Sequence, residues 1–562
     1  MRTTLLNTSF ILLVILLFIA SSLGNGLQVN TSFHSSCDLV IITSEEYSEI
    51  LQTFIDHKDS MNIQTWLKTT DDIYETYIGR DNPEKIKYCI KDMLENYNTG
   101  FVLFIGNITA VPTRYTNIYY EDDFGYPTPT HWVFPSDFYY ADLYDMNGDF
   151  CSWDSNGNDI FAEYNWDGNF DTFDLTPDIC VGRLPCNNNQ EIDICTQKII
   201  TYETNKAWSE TWFNDIICIG GDSLPYDKEN IDEGEYVQRH VIDILEGFIP
   251  TCIWASLGRL NTPQTINDAI NNGAGFVFFN GHGLSDLWAT HPHNSNLWIP
   301  SGSYSIDHID VLENQERLPI IISDACYHCH YDMHDDCFAW SFVRNPHGGA
   351  IAFIGGSDTD LGYPGTAIIT KGIERLCLEI SHQYMDGCQF LGRLIGNAIS
   401  VYTNDTINEV DIITVLQNHL FGDPSLRISG VSHPPLTPEP PSGEISGEIH
   451  VEYLYTMNTE DPDGDDIYYL IDWGDDTESE WLGPFESGET CTTTHIWENQ
   501  GLYQLRVRAK DEHGIQSNWS NPLEVSMPRL RSIRIIEQLI SRYQHTLRSI
   551  EWVLDVNRIA LV

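Results

Sequence analysis

Residues 318–337 read LPIIISDACYHCHYDMHDDC. The run 319–323 is apolar without alternation, so a strand here is buried on both faces, as in a parallel sheet. Six more runs share that character: DLVIIT (38–43), FVLFIG (101–106), DICVGR (178–183), DIICIGG (215–221), GFVFFNGHG (275–283) and AIAFIGGS (350–357). Helix-like stretches lie between them at 45–57, 84–97, 190–206 and 233–247. Strand alternating with helix predicts an α/β fold with helices covering a mostly parallel sheet. The second half of the opening stretch offers zinc-type ligands, namely Cys326, His328, Cys329, His330, His334 and Cys337. Zinc is the weaker reading, because Cys326 ends a strand, the others occupy a loop, and the chain has no second ligand pair of that spacing. A local Cys329–Cys337 disulfide or two free thiols is the alternative.

Ligands and reactive groups of α/β sheets gather outside the carboxyl ends of the strands. Two runs end there in reactive residues: GFVFFNGHG carries His282 between two glycines, and PIIISDAC carries Cys326. Parallel strands bring both to one edge, the arrangement that thiol nucleophilic catalysis needs. An ordinary thiol is mostly protonated at neutral pH, and a neighbouring imidazole takes its proton on attack. Glycine at 283 allows a peptide backbone to approach, and its N–H, with that of Cys326, is placed to meet an oxyanion.

The ordered pair His282–Gly283 and Asp324–Ala325–Cys326 resembles the cysteine peptidases of the caspase, legumain and gingipain clan. Trp288 in HGLSDLW, DICVGRLP (178–185), KIITYE (198–203) and LFGDPSLRI (420–428) are gingipain-like. The resemblance covers roughly 37–430 and implies a caspase-like α/β/α fold of two subdomains, 37–206 and 207–430, with mostly parallel sheets. It also implies protein or peptide substrates, with Cys326 as nucleophile, His282 as general base and Trp288 lining the cleft. The family's acids that orient the histidine and select a basic P1 side chain come from the segment before His282. Asp222 is the candidate orienter, and Glu233 and Glu235 are candidates for substrate binding. Only about a dozen residues separate the leader from Cys37, so control by an N-terminal prodomain is not expected.

The flanking segments give the cellular setting. One arginine, then the apolar run Phe10–Ala20 and small residues, read as a signal peptide over 1–24, too short to span a bilayer comfortably. The protein is therefore expected to be secreted or at the cell surface. Fourteen cysteines in an exported chain favour disulfides. A formal charge of −53 argues against nucleic acid, whose phosphates need Lys and Arg. Asp145, Asn147 and Asp149 alternate around Gly148 as in calcium loops, so calcium is a candidate structural cofactor and no organic one is expected. A proline-rich linker (431–444) precedes short strands and acidic turns over 445–527, expected to form an immunoglobulin-type β-sandwich. YYLIDWGDD (468–476) and SNWS (517–520) there resemble PKD modules, which suit surface association. The tail 528–562 is basic and amphipathic, and either packs, docks a partner or lies on a membrane. The expected activity is cysteine endopeptidase. Transpeptidation on the same fold and a catalytically silent surface adhesin are the rivals.

Overall fold

The computed structural model describes residues 37–120, 130–332, 336–404, 408–429, 435–461, 465–475, 477–511 and 516–527. The signal-peptide segment, His334 and the basic tail lie outside the described residues. Among the described residues, no helix is long and apolar enough to cross a membrane.

Ten strands form one sheet: β1 (Leu39–Thr43), β2 (Thr65–Thr69), β3 (Phe101–Ile105), β4 (Cys180–Leu184), β5 (Asp215–Gly220), β6 (Ile249–Trp254), β7 (Phe276–Asn280), β8 (Ile320–Ser323), β9 (Ala352–Gly356) and β10 (Asn418–Phe421). Their spatial order is β6-β5-β7-β8-β9-β10-β4-β3-β1-β2. Every neighbouring pair is parallel except β9–β10. The two expected subdomains thus share one continuous sheet, whose halves run in opposite directions and meet at that single antiparallel seam. The last strand of the second half, β10, aligns with the first half. Gly182 makes room for it, because a Cβ there would collide with the Gly422 carbonyl.

All seven apolar runs contain strands. Three strands were not expected, and two of these are the sheet edges. Half-exposed β2 (TWLKT) and mostly exposed β6 (IPTCIW, with Pro250) lack continuous apolar runs, and edges are where proline is tolerated. Helices cover the sheet, including α1 (Asn82–Tyr97), α2 (Asn189–Thr204), α3 (Glu233–Ile244) and α4 (Phe338–Arg344). Asp81 and Asn188 cap α1 and α2 by accepting the N–H groups of Glu84 and Glu191 (both 3.0 Å). Beneath the seam, buried Lys58 donates to Glu203 on α2 (2.7 Å) and to Asp423 just past β10 (2.6 Å). A buried cation left without those carboxylates would cost several kcal/mol, so this triad fixes the end of the catalytic region to its start.

The C-terminal segment forms two antiparallel sheets, one of Ser442–Gly443, Glu452–Met457 and Cys491–Ile496, the other of Leu482–Phe485, Ile467–Asp472, Gly501–Asp511 and Leu523–Met527. They share a core of their own around Tyr455, Tyr469, Trp473, Trp497 and Leu505, the expected sandwich. Export favours disulfides among the cysteines other than Cys326, but all fourteen are free thiols. Ten of them are buried, where a thiol packs as a small apolar group.

Candidate active site

The carboxyl ends of β5, β7, β8 and β9 open on one edge. After β7 come Gly281 and His282, whose Nε2 lies 2.6 Å from the Ser223 carbonyl oxygen, just past β5. A carbonyl only accepts, so Nε2 carries the proton and Nδ1 keeps a free lone pair. Burial holds this imidazole below its ordinary pKa of 6.5, so it is neutral at neutral pH.

After β8, the Asp324 carboxylate accepts hydrogen bonds from Asn280 Nδ2 (2.5 Å) and the Gly281 N–H (2.9 Å), clamping the ends of β7 and β8 together. Burial pushes Asp324 up to about 7. Cys326 follows, and Tyr327 behind it takes the left-handed conformation (φ 62°), rare for a bulky residue and a sharp turn just past the thiol. The Tyr327 N–H donates to the Asp358 carbonyl (2.8 Å) and its hydroxyl meets Thr359 Oγ1 (2.8 Å). Cys326 Sγ accepts from the Asp360 N–H (3.3 Å). Burial and the Asp360 carboxylate raise the thiol far above its ordinary value, so it too rests neutral. A Cβ on Gly283 would collide with the Cys326 carbonyl oxygen and stand 2.6 Å from His328 Nε2. The His282 loop and the Cys326 loop are therefore in backbone contact, as the strand-end argument required.

His328 holds that contact. Fully buried, it meets Ser323 Oγ through Nδ1 (2.8 Å) and the Leu287 carbonyl through Nε2 (3.3 Å), and stacks on Phe338 of α4 (4.0 Å between ring centroids). Ser323 ends β8, the strand before Cys326, and Leu287 lies in the hairpin after His282. Burial drives this imidazole down to about 3.

Several expected residues sit differently. Asp222 does not face His282: its carboxylate accepts the Asn294 N–H (2.7 Å), and the group on the imidazole is the carbonyl one residue further on. Trp288, expected in the cleft, is fully buried against Phe279, because its position on Leu287–Thr290 points to the core face. Trp298, which the sequence reading passed over, meets His282 edge to face at 5.2 Å and is 52% exposed. Glu235 is spent on Ser256, accepting from its N–H (2.8 Å) and hydroxyl (2.5 Å). Glu233 accepts the N–H groups of Leu224 and Gly365 (both 3.1 Å), bridging the loops after β5 and β9, and burial raises it to about 7.

Asp360 and Glu374 are further buried acids, raised well above the carboxylate range chiefly by burial, and each repelled by Asp324. The sequence had a signal for Asp360, since AIAFIGGS ends at the same sheet edge three residues before it. It had none for the Ser223 carbonyl, which is backbone.

For metals, Asp145 forms a closed turn: its carboxylate accepts the N–H groups of Asn147 (2.9 Å) and Asp149 (3.0 Å). Both bonds fall on Oδ1, and Oδ2 accepts from Asn147 Nδ2 (3.3 Å). Among the described residues, Asp222, Asp232 and His293 are the one group of three ligand-type side chains with donor atoms within 4.8 Å of one another. The cysteines and histidines of 326–332 form no such group: His328 is engaged at both nitrogens and His330 faces Asp332 (3.2 Å).

Comparison with known proteins adds three findings. The family model "Peptidase family C25" matches residues 33–429. Gingipain R2 of Porphyromonas gingivalis is 22% identical over 313 residues, 54% of this chain but only 34% of that protein. An uncharacterized protein of Archaeoglobus fulgidus is 23% identical over 353 residues, 58% of this chain and 76% of that one. Among solved structures, that of the Arg-specific cysteine proteinase gingipain R superposes with a TM-score of 0.52 at 16% identity, covering 88% of this chain and 99% of the other. The PKD domain of an M14-like peptidase from a Thermoplasmatales archaeon is 43% identical over 17% of the chain, with a TM-score of 0.17.

Proposed function

The chain belongs to peptidase family C25, and from that premise we propose that it is an exported cysteine endopeptidase, with Cys326 as nucleophile and His282 as base. The observation that carries the reading is the backbone contact of Gly283 with Cys326 beside an imidazole whose Nε2–H is tied to Ser223, leaving Nδ1 as the free base. Both partners rest neutral, so the proton moves as the sulfur attacks, which is general-base catalysis rather than use of a preformed thiolate. Nδ1 takes the thiol proton, Sγ bonds to the scissile carbonyl carbon, and the N–H groups of Gly283 and Cys326 hold the oxyanion. The imidazolium then protonates the departing amine, and water, deprotonated by the same nitrogen, releases the acyl group. Ser223 keeps the imidazole oriented, the role the sequence reading gave to Asp222. Glu233, expected to meet a basic substrate side chain, is instead buried and closed on the Leu224 and Gly365 N–H groups, so its part is to hold those two loops together. A structural calcium at Asp145, Asn147 and Asp149 and cell-surface association through the sandwich or tail are also proposed.

The test is cleavage of a peptide library by protein lacking residues 1–24. Thiol-dependent cleavage that disappears in Cys326→Ala is expected. Equal cleavage by Cys326→Ala and wild type would overturn the assignment.

A further inference from the structure

We propose that Trp298 forms a subsite for an apolar substrate side chain on the leaving-group side of the scissile bond. The inference rests on the reading of Cys326 and His282 as the catalytic pair.

Trp298 stands where the loop 291–298 rejoins Ile299–Ser305. Two imidazoles hold its indole. His291, almost fully buried, lies against it with ring centroids 3.9 Å apart at 40°, and His282 meets it at 5.2 Å and 85°. The loop itself is fastened. Leu297 gives its carbonyl to His291 Nδ1 (3.1 Å), and the His291 carbonyl accepts the Asp222 N–H (2.9 Å). The indole is thus positioned on one side and open to water on the other, with about half its surface exposed. A fixed, half-exposed indole beside His282 is a ready apolar contact for a substrate side chain.

The side of the bond follows from the chemistry. The acyl part of the substrate is held at Cys326 and the oxyanion donors. The departing nitrogen must receive its proton from the imidazole, so it lies within about 3 Å of a His282 ring nitrogen. The Cα of the residue carrying that nitrogen is one bond away, ~1.5 Å, and its Cβ one bond further. The indole centroid is 5.2 Å from the imidazole centroid, so this is the side chain that the indole flanks.

The experiment uses matched peptides that differ only in the residue after the cleaved bond, namely Gly, Asp, Leu and Phe, cleaved by wild type, Trp298→Ala and Trp298→Phe. Wild type is expected to favour Leu and Phe over Gly by about ten-fold or more in kcat/KM, the discrimination an apolar subsite supplies. Trp298→Ala should flatten that ratio and Trp298→Phe should restore most of it. All four peptides meet the same catalytic pair in each variant, so the ratio is insensitive to disturbance of His282 itself. Cleavage by wild type with a flat profile, or an unaltered profile in Trp298→Ala, overturns the subsite and leaves the peptidase reading standing. No cleavage of any peptide by wild type overturns the peptidase reading and the subsite with it.

Discussion

His328 gives a quantitative test of how the two catalytic loops are joined. Its imidazole is neutral in the folded protein down to about pH 3, against an ordinary value of 6.5, because it is buried and engaged at both nitrogens. Below pH 6.5 the unfolded chain protonates this residue while the folded chain does not. The stability His328 contributes is therefore whole above 6.5 and drains away as pH falls towards its folded value, by about 1.4 kcal/mol per pH unit. From pH 6.5 to 4.5 that comes to ~3 kcal/mol. His328→Gln cannot titrate. It should be less stable than wild type at neutral pH by about 2 kcal/mol, for the lost hydrogen bond and the lost stack on Phe338. The gap should then close and reverse on acidification. Asp324, Asp360 and Glu374, whose raised carboxyls oppose this trend, titrate in both proteins and cancel in the difference. Urea unfolding of both full chains at about pH 7, 5.5 and 4.5 measures the gap. Alkylation of Cys329 and Cys337, buried near His328, reports opening of this region separately from the sandwich. A gap that stays constant across that range would refute the idea of a neutral strut.

Three further outcomes are expected. Gly283→Ala forces a methyl against the Cys326 carbonyl and His328, so kcat/KM should fall by about 10²–10³, the effect of displacing one oxyanion donor; activity within a few-fold of wild type would count against that donor. The rate at which iodoacetamide alkylates Cys326 should keep rising with pH through the alkaline range, because the free thiol is pushed above its ordinary value. A rate already at its plateau near neutrality would mean a preformed thiolate and overturn the general-base scheme. Calcium at Asp145 must displace two backbone N–H groups, so binding should be weak, about 10⁻⁴–10⁻³ M as in extracellular modules; equal calcium-induced Tm shifts in wild type and Asp145→Asn would remove that site.

The legibility of this sequence follows burial. Strands interior to each half of the sheet, such as β1, β7 and β8, are apolar on both faces and announced themselves. Edge strands β2 and β6 alternate or carry polar residues, because one face or one end meets water. The placing of His282 and Cys326 at one sheet edge was legible because each follows an interior run. What escaped was what depends on turns: Trp288 and Trp298 are ten residues apart on one hairpin-and-loop unit, and only the fold decides which one is buried. The orienting group escaped for another reason. A backbone carbonyl leaves no trace in residue identity, and Asp222, the acid expected to orient His282, is the neighbour of Ser223, whose carbonyl meets the imidazole.

The seam between β9 and β10 also sets a clock on this molecule. Residues 418–421 are inserted in the middle of the sheet, beside the strand that flanks the nucleophile's own, yet they are nearly the last of the catalytic region to be synthesised. Such long-range pairing is the slow step of sheet assembly. The first half of the sheet is complete in sequence by residue 184, but its inner edge stays open until β10 arrives. A chain still being made, or cut short before residue 418, holds Cys326 and His282 without the strand that closes the sheet behind them.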